Sequence, residues 1–348
     1  HPKLDLERQL MCCAYLGDLD EASVQRGATL ATNTGDTPLM AASLCGHQWL
    51  VRALLDSGAP SSAQNKEGVS ALSQASRAGH LDVVEELLRA DANPDAHINP
   101  GYTALMFAIE GGHESVVEAL LDGGADIDAY PGVGTPLSIA ISSRRFELAD
   151  RLLERGASVN DKYGCALTEA ATLGNTEWTC RLLERGADPN KRFAFLAACL
   201  GGHLSVLRSM IDAGLDLHRR DEHAHTPLTI FCQEVIPSKR VLAKYFHGAS
   251  RRRRQWLRDQ LKAQEGQAEV VRLMLHSGAD VNARGDHGRT ALSFVVEHDR
   301  QDLISILLEL GADPTIEDNF GRPPLDLASE RSDLAKLLED AVERSRND

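Results

Sequence analysis

The sequence predicts an all-α fold built as a solenoid, a linear array of about ten helix–turn–helix units. Two independent markers support this prediction: a glycine that follows each second helix, and an apolar residue that opens each first helix. The first marker advances in steps of 33, 33, 32, 30, 28, 64 and 33 residues. It stands at Gly58, Asp91, Gly124, Gly156, Gly186, Gly214, Gly278 and Gly311. Periods of this length are the sequence signature of repeat architectures.

Six of the first helices are predicted to begin at a Ser or Thr cap. Thr37-Pro38 is typical of such a start. The Thr oxygen accepts a hydrogen bond from an N–H of the first turn, and proline occupies the first helical position, where an N–H would have no partner within the helix. Thr135-Pro136 and Thr226-Pro227 repeat this pattern. Variants with alanine in the proline position are Ser70-Ala71, Thr103-Ala104 and Thr290-Ala291.

The second helix follows a Gly-His or Gly-Asn turn, as at Gly46-His47 and Gly79-His80. Its apolar residues recur at helical spacing, which predicts one buried face. The glycine after it permits a left-handed helix end. Asp91 takes that place in one unit, and aspartate tolerates the conformation better than most residues.

These units resemble ankyrin repeats. The fullest matches are 35–39 (GDTPL) with the turn 46–47 (GH), and 101–105 (GYTAL) leading to 124–126 (GAD). The resemblance implies an ankyrin-repeat solenoid with short β-hairpin fingers between units. The histidine that usually follows the opening leucine is absent, and residues such as Ser73 and Thr229 replace it; we expect their hydroxyls to keep part of its local hydrogen bonding.

The predicted organisation is a single array over residues 1–348. Its parts are a degenerate N-terminal cap (4–33), central repeats (34–236), a basic helical insertion (237–266), C-terminal repeats (267–318), and a C-terminal cap with tail (319–348). Because the sequence begins at His1, one module of a larger protein also stays open as an interpretation.

The ankyrin resemblance implies that partners bind on the concave side, at the fingers and the adjoining ends of the first helices. Within this set, Tyr102 with Pro100 is a candidate apolar anchor. A plain surface aromatic is the alternative. The expected partner-binding residues are Asp36, Leu44, Glu67, Val69, Arg77, Pro100, Tyr102, Glu110, His223, His225, Gln233, Glu234, His287, Arg289, Glu297 and His298.

Two finger connections are shorter than the others. The steps of 30 and 28 residues precede the units that open at Leu167 and Phe195. We expect stunted hairpins there, and a notch that divides the concave side into two sub-sites.

The 64-residue step contains an insertion around residues 237–266, with nine basic and two acidic side chains. Helical spacing of its apolar residues predicts a small helical hairpin with a basic run and a tryptophan: Arg251, Arg252, Arg253, Arg254 and Trp256. A solvated loop, a nuclear-localisation signal and a lid over the concave side remain open. Nucleic-acid contact is disfavoured, because the rest of the chain is strongly acidic.

Catalytic motifs for nucleotides, metalloproteases or serine hydrolases are absent from the sequence. One constellation is compatible with metal binding or acid–base catalysis: His223, His225, Glu234, His287, Glu297 and His298. Units spaced by helix packing hold such residues too far apart for one metal shell. We therefore expect no metal and no cofactor, and we favour binding over catalysis.

Composition limits the location and the partners. No apolar run reaches 18 residues, so no membrane span is predicted. The seven cysteines include no CxxC pair, so we expect them to be reduced thiols. Reduced thiols are typical of the cytoplasm or nucleus. With 51 acidic against 37 basic residues, we expect the concave side to be mostly acidic and to bind a basic segment of a protein or peptide. The alternative is an unorthodox enzyme or small-molecule binder that uses the His/Glu constellation, with the insertion as a lid.

Overall fold

A computed structural model describes residues 11–18, 20–99, 101–161, 164–235, 266–328 and 332–347. Regular structure in these ranges is almost entirely helical, which confirms the predicted fold class. The chain divides into two compact units, residues 1–166 and 167–348. The basic run and Trp256, like most of the insertion, lie outside the described residues, as does Pro100.

The first unit consists of short helices arranged in pairs, with one small hairpin. Its helices are α1 (11–16), α2 (Glu21–Gly27), α3 (Pro38–Cys45), α4 (Gln48–Asp56), α5 (Ala71–Ala78), α6 (Leu81–Arg89), α7 (Ala104–Gly111), α8 (Glu114–Asp122), α9 (Pro136–Ser142) and α10 (Phe146–Glu154). The strands β1 (His97–Ile98) and β2 (Tyr102–Thr103) precede α7.

Helix pairs of the first unit stack in chain order, as the repeat pattern predicts. The first helices α3, α5, α7 and α9 pack side by side, and the second helices α4, α6 and α8 form a parallel layer behind them. Leu50, Val51 and Leu54 of α4 are fully buried, and Val83, Val84 and Leu87 are their counterparts in α6. Each pair therefore hides its apolar side against the next pair.

The second unit repeats this arrangement. Its helices are α11 (Cys165–Thr172, which begins at the end of the first unit), α12 (Thr176–Glu184), α13 (Arg192–Leu200), α14 (Leu204–Asp212), α15 (Pro227–Ile230), α16 (266–276), α17 (Ala291–Glu297), α18 (Gln301–Glu309), α19 (Pro324–Leu327) and α20 (Ser332–Asn347). A π-helical turn, Phe231–Val235, continues α15, and a 3₁₀ turn spans Asp286–Gly288. The second helices α12 and α14 pack together, as do α17 and the π-helical turn in the first-helix layer.

The predicted helix caps are present. Thr37, Ser70, Thr103, Thr135, Thr226 and Thr290 each accept a hydrogen bond from the backbone N–H three residues later. Ser73 stands where ankyrin repeats usually carry histidine, and its hydroxyl oxygen accepts the Ser70 N–H at 3.0 Å. Ser138 and Thr229 make the same bond, so the replacement hydroxyls keep the start of the helix hydrogen-bonded.

The histidines of the Gly-His turns connect successive repeats. His80 Nε2 lies 3.0 Å from the carbonyl oxygen of Leu44, and His113 Nε2 lies 3.2 Å from that of Arg77. Each ring packs on the glycine that ends the preceding first helix: a Cβ at Gly79 would lie 2.6 Å from His113 Nδ1. Here glycine serves two purposes, a positive φ and a close approach.

β-Structure is sparser than the fingers of the family predict. In the described residues, only β1 and β2 form a two-stranded sheet, with His97 opposite Thr103 and Ile98 opposite Tyr102. Gln64 and Ser70 form an isolated bridge. Three of the fingers, described below, are held by side-chain hydrogen bonds. None of the described helices combines the length and apolarity that crossing a bilayer requires.

Candidate partner-binding face

An aspartate or asparagine organises three of the fingers. Asn65 Oδ1 accepts the N–H groups of Glu67 at 3.0 Å and Val69 at 2.9 Å. Asp221 Oδ1 does the same for the residues two and four positions later, and so does Asp318 Oδ1. A short polar side chain thus replaces the strand ladder and fixes the turn.

Neighbouring fingers are joined by backbone hydrogen bonds. In the first unit, the Lys66 N–H donates to Thr34 O and the Asn99 N–H donates to Glu67 O, both at 2.9 Å. In the second unit, the Asn319 N–H donates to His287 O at 2.8 Å. In these three fingers the amide therefore points its N–H at the preceding finger.

In each unit the fingers and the first helices form one surface, which we call the finger face. In the first unit the first helices carry little charge: α3 and α9 have no charged residue, and α5 and α7 contribute only Arg77 and Glu110. Carboxylates are more numerous on the second helices, where several are paired with arginines. Arg151 contacts Glu114 at 2.7 Å, for example.

Three side chains form an aromatic cluster on the finger face of the first unit. The rings of Tyr102 and Phe107 are 5.0 Å apart between centroids and inclined by 40°. The Arg77 guanidinium carbon lies 5.7 Å from the Phe107 centroid, within cation–π range. Both aromatic rings are half-buried, and Arg77 is exposed. The cluster therefore offers flat apolar surface together with a positive charge.

The other predicted residues of the first unit have different environments. Glu67 and Glu110 are exposed, and Leu44 and Val69 are half-buried. Asp36 is held inside the fingers: its Oδ1 accepts a hydrogen bond from Asn65 at 2.7 Å and its Oδ2 one from Thr34 at 2.6 Å. Its role in the described contacts is thus to join two fingers.

The predicted residues around the finger at residues 221–225 divide between exposed and buried positions. His223 is exposed, whereas His225, expected on the open side, is only 4% exposed and packs edge-on against Phe294 at 6.3 Å. The expectation of exposure is wrong for His225, because its ring fills the space between this finger and the backbone of Gly285. Gln233 is half-buried in the π-helical turn, and the side chain of Glu234 lies outside the described residues.

The last group of predicted residues lies on α17 and the finger before it. His287 is exposed, has φ 53°, and packs on Phe320 at 5.7 Å. Arg289 is mostly covered and binds the exposed Glu297 at 2.9 Å. Burial lowers the pKa of half-buried His298, because desolvation disfavours its charged form.

The His/Glu constellation does not converge. His223 and His225 lie 6.1 Å apart between ring centroids, and His223 and His287 each face the acid beside them in the sequence. Within the described residues, no group of three or more His, Cys, Asp or Glu side chains is arranged to hold a metal ion.

A cleft in the second unit was not predicted as a binding site. It encloses about 340 Å³ and lies between the start of α13 and the finger at 221–225. Phe195, Leu215, Pro227 and Ile230 provide its apolar lining. The available signal in the sequence was the short step of 28 residues, which removes the finger that would fill this space.

Comparison with known proteins agrees with this architecture. The family description "Ankyrin repeats (3 copies)" matches residues 58–131 and 260–347, and "Ankyrin repeat" matches residues 34–66. An ankyrin repeat-containing protein of Treponema pallidum (strain Nichols) is 32% identical over 36% of this chain and 44% of its own length.

Further relatives cover similar stretches. The ankyrin repeat protein YahD of Escherichia coli K12 is 28% identical over 42% of the chain and 77% of its own length. Human ankyrin repeat domain-containing protein 63 is 37% identical over 38% of the chain and 28% of its own length. The chain thus spans less than half of the Treponema and human relatives. The stacked helix pairs, the caps and these matches together show that the chain belongs to the ankyrin-repeat family.

Proposed function

We propose that this chain is a protein-binding module that holds a basic segment of a partner protein against the finger face of its first unit. The observation that carries the proposal is the cluster of Arg77, Tyr102 and Phe107. Aromatic and arginine side chains dominate the energetics of protein interfaces, because they bury much area for little lost entropy. Repeats of this family generally mediate protein–protein interaction, which agrees with such a role.

The charge distribution supports a basic partner. Residues 1–166 contain 23 acidic and 12 basic side chains, an excess that attracts a cationic segment at long range. Glu110 is exposed three residues after Phe107 on α7, which puts the two on one side of the helix. A lysine or arginine beside the apolar anchor of the partner would pair with Glu110.

We also propose a reducing compartment, the cytoplasm or nucleus, as the site of this interaction. None of the seven cysteines, all of which lie in the described residues, forms a disulfide. Cys199 and Cys232 are fully buried in the second unit, and no disulfide joins them. Such thiols persist where glutathione and thioredoxin keep them reduced.

The test begins with capture of partner proteins from a lysate of the source cells on the immobilised chain. A captured partner is then purified and titrated against wild type and against Tyr102→Ala. We expect the variant to weaken binding about tenfold or more, and binding to fall as salt rises from low to high ionic strength. Trp49→Ala is the matched control, because Trp49 is exposed on α4, in the layer of second helices.

Binding that survives Tyr102→Ala, or that is lost equally in the Trp49 control, would place the interface elsewhere. An affinity that does not respond to salt would remove the electrostatic part of the proposal.

A further inference from the structure

The cleft in the second unit occupies the place of a missing finger. The connection into α13 runs from Ala187 to Lys191 and contains only one tight turn. The connection into α15 is longer and carries the complete finger organised by Asp221. This finger therefore has no full-length neighbour on the side of α13, and the apolar residues at its base line an open space.

A backbone donor faces this gap without an acceptor. Glu222 follows Asp221 as Lys66 follows Asn65 and as Asn319 follows Asp318. The N–H groups of Lys66 and Asn319 donate to the finger before them. Among the described residues, no acceptor receives the N–H of Glu222. The same turn geometry thus presents a donor that the fold itself does not use.

The walls of the cleft suit one apolar side chain. Phe195 and Leu215 are 3% and 8% exposed, and Pro227 and Ile230 complete the lining. The volume of about 340 Å³ lies at the lower end of ligand pockets. His225, 4% exposed, also lines the cleft, and its Nε2 has no hydrogen-bond partner in the described structure.

Charged groups at the rim are mostly engaged within the protein. Arg192 binds Asp221 at 3.2 Å, and the Arg220 guanidinium donates to the carbonyl oxygens of Ala224 and Arg284. The lining instead combines an apolar base with a free backbone donor, which is the chemistry that recognises an extended polypeptide.

We propose that an extended segment of a partner protein lies in this cleft in place of the missing finger. A carbonyl oxygen of the segment accepts the Glu222 N–H, and one aliphatic or aromatic side chain enters the space over Phe195 and Ile230. The backbone bond sets the position of the segment, and the apolar side chain provides most of the affinity. The inference rests on the proposed function, because it gives the same module a second contact for its partner.

The test uses a phage-displayed library of short random linear peptides, selected on the full chain. Selected peptides are synthesised and titrated against wild type, Glu222→Pro and Glu222→Ala. Proline removes the N–H, whereas alanine keeps it, so the two variants isolate the backbone donor. We expect at least one peptide to bind Glu222→Pro about five- to tenfold more weakly than wild type and to bind Glu222→Ala as wild type does. Ile230→Phe, which narrows the cleft, should weaken the same peptide.

Hydrogen exchange provides a measurement that does not depend on a variant. In wild type, the Glu222 amide should exchange fast in the free chain and at least about tenfold more slowly when the peptide is saturating. The proposal is overturned if no peptide is selected, or if every selected peptide binds Glu222→Pro normally and leaves the exchange of this amide unchanged. A peptide that depends on Tyr102 alone would uphold the proposed function while overturning this inference.

Discussion

The contact between a turn histidine and the glycine before it predicts unequal effects of two alanine substitutions. Gly79 ends α5 with φ 80°, and a Cβ there would meet the His113 ring at 2.6 Å. Gly58, after α4, has φ 86°, but a Cβ there would have no atom within 4 Å. The two sites share a left-handed backbone and differ in the space around it.

The structure gives the size of the difference. Placing an L-residue in the left-handed region lowers the free energy of unfolding by about 1–2 kcal/mol, and this loss applies to both variants. Gly79→Ala must also displace the ring that binds the Arg77 carbonyl, and overpacking of this kind costs about 1–3 kcal/mol. We therefore expect a loss of about 1–2 kcal/mol for Gly58→Ala and about 2–5 kcal/mol for Gly79→Ala.

Urea unfolding followed by circular dichroism measures both variants. Both glycines lie in the first unit, so they report on the same transition even if the two units unfold separately. Combining Gly79→Ala with His113→Ala removes the clash, so the double variant should recover about 1–3 kcal/mol relative to additive losses. Equal losses for the two glycine variants, or strictly additive effects in the double variant, would refute the role assigned to the histidine.

Three further predictions concern the caps, the thiols and pH. Ser138→Ala should cost about 1–2 kcal/mol in urea unfolding, because it leaves the buried N–H of Thr135 without its acceptor. Cys199 and Cys232 should resist alkylation by iodoacetamide in the folded chain, because burial raises the pKa of both thiols. Burial lowers the pKa of His298 in the folded chain, so as pH falls below about 6.5 the unfolded chain binds a proton there first and the free energy of unfolding decreases. His298→Gln should reduce the slope of the free energy of unfolding against pH by up to about 1.4 kcal/mol per pH unit.

The cap and thiol predictions each have a matched control. Ser142→Ala should be nearly neutral, because its half-buried hydroxyl donates only to the Ile139 carbonyl. Cys12 and Cys45 are exposed and should be alkylated readily by the same reagent. An unchanged pH slope in His298→Gln, a neutral Ser138→Ala, or fast labelling of the two buried thiols would contradict the corresponding prediction.

The repeats and their caps were predictable because they depend on residues that are close together in the sequence. Thr135 and Ser138 lie three residues apart, and a cap bond requires nothing further along the chain. The left-handed conformation at Asp91 was also predicted, and its φ is 57°. Local rules of this kind recur in most repeats, so the fold class follows from them. The exceptions are α13 and α19, which begin after Lys191 and Pro323 without a side-chain cap.

The site was predicted only in part, because it depends on contacts across repeats. The sequence identifies Tyr102 as an anchor but not Phe107. Phe107 belongs to the site because its ring contacts both Tyr102 and Arg77, and Arg77 lies in the preceding repeat. His225 was expected on the open side because its place in the finger motif is usually free. The neighbouring Gly285 leaves room for its ring, and a contact 60 positions away in sequence is not visible in the motif. The cleft was anticipated only as a notch beside shortened fingers, without its lining residues.

The most direct test of the account is hydrogen exchange of the full chain with and without a purified partner. We predict that the partner slows exchange in residues 97–111, which contain β1, β2 and the aromatic cluster. Exchange in the second helices α4, α6 and α8 should change little. Protection of these second helices, with residues 97–111 unchanged, would contradict the claim that the finger face of the first unit binds the partner.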